Sequence, residues 1–251
     1  MNKKLAKHEK YLKKKIFFSN NKWPQYKLLI NDIKILSKKF KKNSKILFLE
    51  RRSLYGNVSL LAPFFNSIYI DSVECSPKNI LRRKSYVKDI RNEGDIILKQ
   101  FKNYGLKKNF FDLIVIPNLI HHLKNPSKII KKSFKLLKKN GQIYIFEPTL
   151  REIHQNPEDY IRYTPTGMKN ELENNNFKNI KFKTTGGPFT STLYCLDQAI
   201  QYLPLNLRNN YIKNIFPQIY KKFIFYEKKF KKNLVRKHTT FPTAFSITGK
   251  K

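Results

Sequence analysis

The sequence is short of acidic residues, glycine and cysteine. Only 17 of its 251 residues are Asp or Glu, against 52 Lys and Arg, so the formal net charge is +35, and only 8 residues are glycine. The two cysteines, Cys75 and Cys195, fit no metal-ligand or disulfide pattern. No apolar run reaches membrane-spanning length, and the basic N-terminus lacks the features of a secretory signal. We therefore expect a cytoplasmic protein with no transmembrane segment, long enough to bury a core.

The excess of cations has two interpretations. Many lysines would attract phosphate backbones or an anionic membrane. However, Lys, Asn, Ile, Phe and Tyr all have A/T-rich codons, and an A/T-rich genome would raise them together. The lysines are also spread along the chain, at 38–42, 131–139 and 221–232, instead of forming one block. We favour compositional drift, and a nucleic-acid partner is the less favoured alternative.

Short apolar strands alternate with helical segments along most of the chain. The three- and four-residue spacing of Leu29, Ile33, Leu36 and Phe40 predicts a helix. Strands are predicted at 46–49, 67–74, 110–118, 142–148 and 177–182. Helices are predicted from Pro126 to a stop at Asn140-Gly141 and over 166–175. This order predicts an α/β fold, a Rossmann-like, doubly wound and mostly parallel sheet with helices on both faces.

The chain is expected to have three parts. Residues 1–44 form an N-terminal helical extension and residues 45–185 form the α/β core. Residues 186–251 are aromatic-rich and are interrupted by Pro204 and Pro217. We predict that they form a helical cap on the same domain, and that the final TAFSITGKK could add a closing strand.

Three acidic residues are predicted at or near the carboxyl ends of strands, where open α/β sheets bind ligands. Glu50 ends the first strand, and Glu74 ends the second 24 residues later, close to the spacing at which an acid meets a ribose hydroxyl. Asp95, in the stretch EGDII, precedes a third strand expected between 67–74 and 110–118, and it could accept a hydrogen bond from an adenine amino group. Asp71 competes with Glu74 for the ribose role. Each acid alone could be a solvated turn residue, but together they indicate a nucleotide-type cofactor.

Two long segments resemble a known enzyme family. The segment FFDLIVIPNLIHHLKNPSKIIKKSFKLLKKNGQIYIFEP, at 110–148, resembles the fourth strand, helix and fifth strand of class I S-adenosylmethionine-dependent methyltransferases. The matched parts are 111–115, 121–123 and 136–141. Residues 154–182 resemble a type 11-like subgroup with the pattern His-x-x-Pro-x-Asp-Tyr-x-Arg-aromatic-Thr-Pro-x-Gly, and GGPFTSTLYCLDQAIQYLP is similar to its C-terminal region. The resemblance covers roughly 45–251.

The resemblance implies an enzyme that binds S-adenosylmethionine. It further implies methyl transfer to a small-molecule, glycan or lipid-linked acceptor. The implied cofactor positions are the loop 50–57 (with Glu50, Arg52 and Gly56), Glu74 at the ribose, Asp95 and Ile96 at the adenine, and Pro117 with Asn118 after the fourth strand.

The first loop departs from the family pattern. Family members carry an acid in the first strand and then Gly-x-Gly-x-Gly, whose glycines let the backbone approach the cofactor closely. Here Phe48 occupies the acidic position, Glu50 and Arg52 stand near the first two glycines, and only Gly56 matches the last. Glu50 and an arginine could instead hold the amino and carboxyl groups of the methionine part. Weak binding, an altered cofactor pose or a catalytically inactive scaffold protein are the alternatives.

His121 and His122 are the candidate catalytic residues. One imidazole near the fourth strand's end could deprotonate a hydroxyl nucleophile, because imidazole titrates near the working pH. Alternatively, one histidine packs into a helix start and the other is solvated. A metal site is not expected, because the pair lacks a third ligand at a useful spacing.

The segment 154–167 follows the fifth strand at the expected cofactor edge. Asp159 could pair with Arg162, and Thr164 could cap the next helix with proline at its first position. Arg162 could instead hold a carboxylate or phosphate of the acceptor. The candidate substrate-binding residues are His154, Tyr160, Arg162 and Tyr163.

Overall fold

One eight-stranded sheet organises the protein. The computed structural model describes residues 24–40, 43–51, 61, 64–65, 67–73, 84–89, 97–100, 107–154, 158–232 and 241–251. The strands are β1 (Ile46–Arg51), β2 (Ser67–Val73), β3 (Lys84–Asp89), β4 (Ile97–Gln100), β5 (Phe111–Pro117), β6 (Leu137–Pro148), β7 (Lys178–Thr185) and β8 (Ala244–Lys250). Their order across the sheet is β4-β3-β2-β1-β5-β6-β8-β7.

Six of these eight described strands run in the same direction. β1 pairs in parallel with β2 and β5, and β5 pairs in parallel with β6. β3 is antiparallel to both β2 and β4, and β8 is antiparallel to both β6 and β7. The predicted α/β fold with a mostly parallel sheet is therefore confirmed, and the C-terminal strand inserts between β6 and β7.

Helices cover both faces of the sheet. They are α1 (Pro24–Lys39), α2 (Pro126–Leu136), α3 (Pro165–Asn174), α4 (Pro188–Ile200), α5 (Leu205–Asn210) and α6 (Phe216–Lys232), with a 3-10 turn at Ile120–His122 and a π turn at Tyr211–Ile215. On one face, Ile33 of α1 packs with Phe48 and Val115. On the other, Ile130 and Met168 of α2 and α3 pack with Leu47 and Ile114. Alternate residues of β1 and β5 thus enter opposite cores, as expected for buried parallel strands.

The structure differs from the sequence-based expectations at the end of α2 and at β3. α2 ends at Leu136, so Asn140-Gly141 does not stop the helix but lies within β6, where Asn140 has φ 64°. β3 was not anticipated, because its sequence KSYVKD has little apolar content. Residues 58–65, whose sequence could open a helix that Pro63 would stop or kink, lie mostly outside the described residues. Within the described part of the chain, no helix is long and apolar enough to span a membrane.

Asp32 fastens α1 to the sheet. Its buried carboxylate accepts hydrogen bonds from Ser246 Oγ at 2.6 Å and from Lys183 Nζ at 2.6 Å, and Tyr144 Oη lies 3.4 Å away. Burial and the Asp32 charge both raise the pKa of Tyr144, so its hydroxyl stays protonated and can donate. This one carboxylate therefore joins α1 to β6, β7 and β8.

Replacing Asp32 with alanine should lower the free energy of unfolding by about 2–3 kcal/mol, because buried donors lose their acceptor. Urea denaturation measures the change. Glu173→Ala is the matched control, since its carboxylate pairs with Lys169 at 3.6 Å on an exposed face of α3 and should contribute less than about 0.5 kcal/mol. Equal losses in the two variants would contradict this role for Asp32.

Candidate functional site

Two segments that follow neighbouring parallel strands form the candidate site. Pro117, the last residue of β5, pairs with Phe146 near the end of β6, so both segments leave the same edge of the sheet. Asn118 follows β5 with φ 52°, a left-handed conformation that asparagine tolerates. The turn Ile120–His122 comes next, while the segment after β6 runs to the start of α3 at Pro165.

Glu147, near the end of β6, fixes the turn after β5. Its buried carboxylate accepts from the backbone N–H of Leu119 and of Ile120, both at 2.8 Å. The backbone N–H of His121 lies 3.4 Å away. His121 Nδ1 is 2.5 Å from the other carboxylate oxygen of Glu147. One acid thus satisfies the start of the turn and orients the ring of His121.

Three of the chain's five histidines meet at this edge. The ring centroids of His121 and His122 are 3.9 Å apart. His154, from the segment after β6, has its ring centroid 5.3 Å from that of His121 and 4.9 Å from that of His122. His121 and His122 are 1% and 4% exposed, so the expectation that one of them is solvated is wrong.

An oxygen acceptor faces Nδ1 of each of these rings. It is the Glu147 carboxylate for His121, the Glu158 carbonyl at 2.6 Å for His122, and the Glu152 carbonyl at 3.2 Å for His154. Because these oxygens accept, each Nδ1 carries a hydrogen, and in a neutral ring Nε2 then carries the lone pair. Nε2 of His121 is buried and has no hydrogen-bond partner among the described residues.

His154 stays neutral at physiological pH. Burial lowers the pKa of His154, and the nearby Arg151 guanidinium lowers it further. The Glu152 carbonyl and the Asp159 carboxylate, whose Oδ2 is 3.1 Å from Nδ1, act in the opposite direction with smaller effect. The ring therefore keeps its lone pair.

The predicted pair of Asp159 and Arg162 is present and braces the segment after β6. Arg162 Nη1 contacts Asp159 Oδ1, and Nη2 donates to Oδ2 at 2.6 Å and to the Glu152 carbonyl at 3.2 Å. Asp159 Oδ2 also accepts from the His154 N–H at 3.0 Å. Burial opposes ionisation of Asp159, but the Arg162 and His154 hydrogen bonds outweigh it and hold the pKa of Asp159 well below its usual range.

The two tyrosines of this segment are placed differently. The backbone N–H of Tyr160 donates to the His121 carbonyl at 2.9 Å, which joins the two segments of the site. Tyr163 packs against the core on the α2 and α3 face. Thr164 Oγ1 accepts from the Gly167 N–H at 3.0 Å, so the predicted cap of α3 is confirmed.

A cleft at this edge of the sheet extends to the helical cap. Its lining includes Asn118, Phe146 and Glu152, together with Gln25 of α1 and Tyr194 of α4. Tyr194 Oη donates to the Glu152 carboxylate, and both burial and this hydrogen bond raise the pKa of Tyr194. Sequence reasoning missed Glu147, Glu152 and Tyr194. For Glu147 a usable signal existed, since it is an acid near the carboxyl end of a buried strand.

The structure brings part of the predicted site together. Pro117, Asn118, both histidines of the turn and the four proposed substrate-binding residues all lie on the two segments at this edge. Glu50 lies within β1, which continues to Arg51. The other proposed cofactor residues, Arg52, Gly56, Glu74, Asp95 and Ile96, lie outside the described residues. The expectation that no third metal ligand exists is wrong, because His154 joins the pair.

Comparison with solved structures shows where this fold occurs. The structure of phosphoethanolamine N-methyltransferase 2 from Haemonchus contortus in complex with S-adenosyl-L-methionine superposes with a TM-score of 0.50 at 14% identity, over 97% of this chain and 56% of that chain. The fold is therefore the Rossmann-like fold seen in S-adenosylmethionine-dependent methyltransferases.

The family comparison is more specific. Residues 56–145, a little over a third of the chain, match the family model described as a methyltransferase domain. A 99-residue stretch is 31% identical to probable polyketide synthase 10 of Dictyostelium discoideum, over 33% of this chain and 4% of that protein. The chain thus spans only a small part of this relative and about half of the worm enzyme. These matches support a methyltransferase domain in the chain.

Proposed function

We propose that the protein is an S-adenosylmethionine-dependent methyltransferase. The match of residues 56–145 to a methyltransferase domain carries the proposal, and the fold supports S-adenosylmethionine as the cofactor. The cofactor would lie across the carboxyl ends of β1, β2 and β5, where open α/β sheets bind ligands. Pro117 and Asn118 would border it, with Glu50, Arg52 and Gly56 at the methionine part and Asp95 and Ile96 at the adenine.

Methyl transfer from this cofactor needs alignment more than activation. The sulfonium already activates the methyl group, so the protein must place the acceptor atom in line with it and allow a proton to leave. The histidines of the turn, His121 and His122, follow Asn118 after Leu119 and Ile120. We propose that the acceptor atom binds against them and loses its proton there, with His154 and Tyr160 beside it.

Calorimetry with S-adenosylmethionine on the full chain tests the proposal. We expect saturable heat with one cofactor per chain. Circular dichroism on the same sample shows whether the protein is folded. Absence of heat from well-folded protein would overturn the enzyme proposal and favour a catalytically inactive scaffold, which is the alternative that the unusual first loop leaves open.

Glu74→Ala should raise the dissociation constant for S-adenosylmethionine about 10- to 100-fold. A carboxylate that accepts hydrogen bonds from a ribose contributes about 1.5–3 kcal/mol, and each 1.4 kcal/mol is about tenfold in affinity. Asp71→Ala is the matched control, since Asp71 is the competing acid of the same region. If only Asp71→Ala raised the dissociation constant, Asp71 and not Glu74 would be the acid that binds the ribose.

The helical cap favours a lipid-linked acceptor among the three classes. Between residues 201 and 229 the exposed apolar side chains include Tyr202, Leu205, Leu207 and Phe225, at 53–87% exposure. Five exposed lysines accompany them (213, 221, 222, 228, 229), and the single acid of this stretch, Glu227, is buried. Exposed apolar and cationic side chains together suit an anionic membrane surface. The Tyr194–Glu152 contact connects the cap to the site.

The protein should sediment with vesicles that contain anionic phospholipid and much less with zwitterionic vesicles. Replacing Leu205 and Leu207 together with serine should lower the vesicle partition coefficient at least about tenfold, because each buried leucine contributes about 1.5–3 kcal/mol. Ile35→Ser is the matched control, since Ile35 is 59% exposed on α1. Equal losses in both variants, or no preference for anionic lipid, would contradict a membrane-presented acceptor.

A further inference from the structure

We propose that His121, His122 and His154 bind one divalent transition-metal ion. One ring nitrogen from each residue lies within 4.8 Å of the other two. Two ligands come from the turn after β5 and the third from the segment after β6, so the parallel pairing of these strands creates the cluster. Zinc–imidazole bonds of about 2.0–2.1 Å would need only a small closure of this set, for which the partly exposed His154 has room.

The surroundings of the three rings match those of metal-binding histidines. Such histidines donate their second N–H to a carboxylate or a backbone carbonyl, which fixes the ring and directs the other nitrogen to the ion. Here the Nδ1 hydrogen of His121 is accepted by the Glu147 carboxylate. The carbonyls of Glu158 and Glu152 accept those of His122 and His154. All three oxygen partners contact Nδ1. We therefore assign Nε2 as the metal ligand in each of the three rings.

The buried Nε2 of His121 gives independent support. Its side chain is 2% exposed, and this nitrogen has no hydrogen-bond partner among the described residues. A buried polar atom without a partner is unfavourable by about 1–3 kcal/mol, so native proteins rarely keep one without a reason. A metal ion would satisfy this lone pair.

The charges around the cluster are balanced enough to accept a cation. Glu147 contacts His121 directly, and Asp159 lies beside His154. Arg151 and Arg162 oppose an ion, but Arg162 is paired with Asp159, and Arg151 contacts Glu152 at 3.4 Å. Imidazole ligands without a protein carboxylate select zinc, copper, nickel or iron over magnesium or calcium.

Three protein ligands leave one position open, as in catalytic zinc sites. If the proposed methyl transfer is correct, an acceptor oxygen could fill that position, where the ion would lower its pKa and let its proton leave to solvent. His121 and His122 would then be ligands, and proton release at the ion would replace direct proton transfer to their rings. Metal binding itself does not rest on the methyltransferase proposal.

Zinc binding to the full chain, freed of metal by a chelator and without S-adenosylmethionine, tests the inference. The protein carries Cys75→Ser and Cys195→Ser, which remove both thiols. Competition with a chromophoric chelator should give one zinc per chain. His154→Ala should raise the zinc dissociation constant at least about 100-fold, and Glu147→Gln about 10- to 100-fold. His8→Ala and His238→Ala, the chain's two other histidines, should change nothing.

Circular dichroism checks that each variant is folded. His154→Ala is the preferred variant because His154 is the least buried of the three ligands, so its replacement disturbs the fold least. Cobalt(II) in place of zinc should give visible absorption bands that His154→Ala removes. Less than stoichiometric zinc binding, or equal affinity in His154→Ala and His238→Ala, would overturn the metal site. S-adenosylmethionine binding measured with chelator present would remain, so the two proposals fail separately.

Discussion

Replacing Glu147 with alanine should lower the free energy of unfolding by about 3–5 kcal/mol, the range for breaking a buried, hydrogen-bonded charge cluster. The carboxylate is 2% exposed and accepts from the N–H groups of Leu119 and Ile120 and from His121 Nδ1. Alanine leaves all of these donors buried without an acceptor and also leaves a cavity. Urea denaturation followed by circular dichroism measures the loss.

Glu147→Gln separates the structural role of this residue from its effect on the histidine. The amide oxygen can still accept from Leu119 and Ile120, so we expect only about 1–2 kcal/mol of destabilisation. The amide nitrogen would face His121 Nδ1 as a donor, which moves the ring hydrogen to Nε2 and removes its lone pair. If glutamine destabilises the fold as strongly as alanine, the hydrogen bonds to the Leu119 and Ile120 N–H groups do not account for the stability that Glu147 provides.

The strands of the fold were predictable because their burial leaves a local pattern. β5 is apolar at nearly every position since both of its faces are covered, and β1 alternates between the two cores. β3 has no such pattern, because its pairing with β2 and β4 depends on backbone hydrogen bonds between segments distant in the chain. The end of α2 was misplaced because Asn140-Gly141, a common helix stop, instead serves a left-handed position within β6.

The candidate site was predictable in its location but not in its contacts. The order of the predicted strands is sufficient to place His121 and His154 at one edge of the sheet. Their ring centroids are 5.3 Å apart because hydrogen bonds hold both segments in place. Glu147 bonds to His121 in the turn after β5, and Asp159 bonds to His154 and Arg162 in the segment after β6. The contact between Glu147 and His121 joins residues 26 positions apart, and no local sequence pattern indicates it. The Asp159–Arg162 pair is local, so its i, i+3 spacing could predict it.

Gly187→Ala should lower the free energy of unfolding by about 3–4 kcal/mol, as expected for a clash with a held side chain in a packed interior. The cause is contact and not backbone strain, because Gly187 has an extended φ of 179°. A Cβ at this position would overlap Glu227 Oε1 and lie 2.6 Å from its Cδ. Glu227 cannot move freely, because its Oε2 accepts from Thr190 N at 2.8 Å and from Thr190 Oγ1 at 3.1 Å.

A double-mutant cycle with Glu227→Ala tests this reading of Gly187. In the Glu227→Ala background the clash is absent, so Gly187→Ala should change stability by less than about 1 kcal/mol, with alanine restricting the unfolded chain. The coupling between the two positions should therefore reach about 2–3 kcal/mol. If the losses of unfolding free energy in the two single variants simply added in the double variant, the clash with Glu227 would not be the cause of the Gly187→Ala effect. Because α4 begins at Pro188 and carries Tyr194, a displaced helix would also withdraw the hydroxyl that donates to Glu152, and the clash would then reach the candidate site.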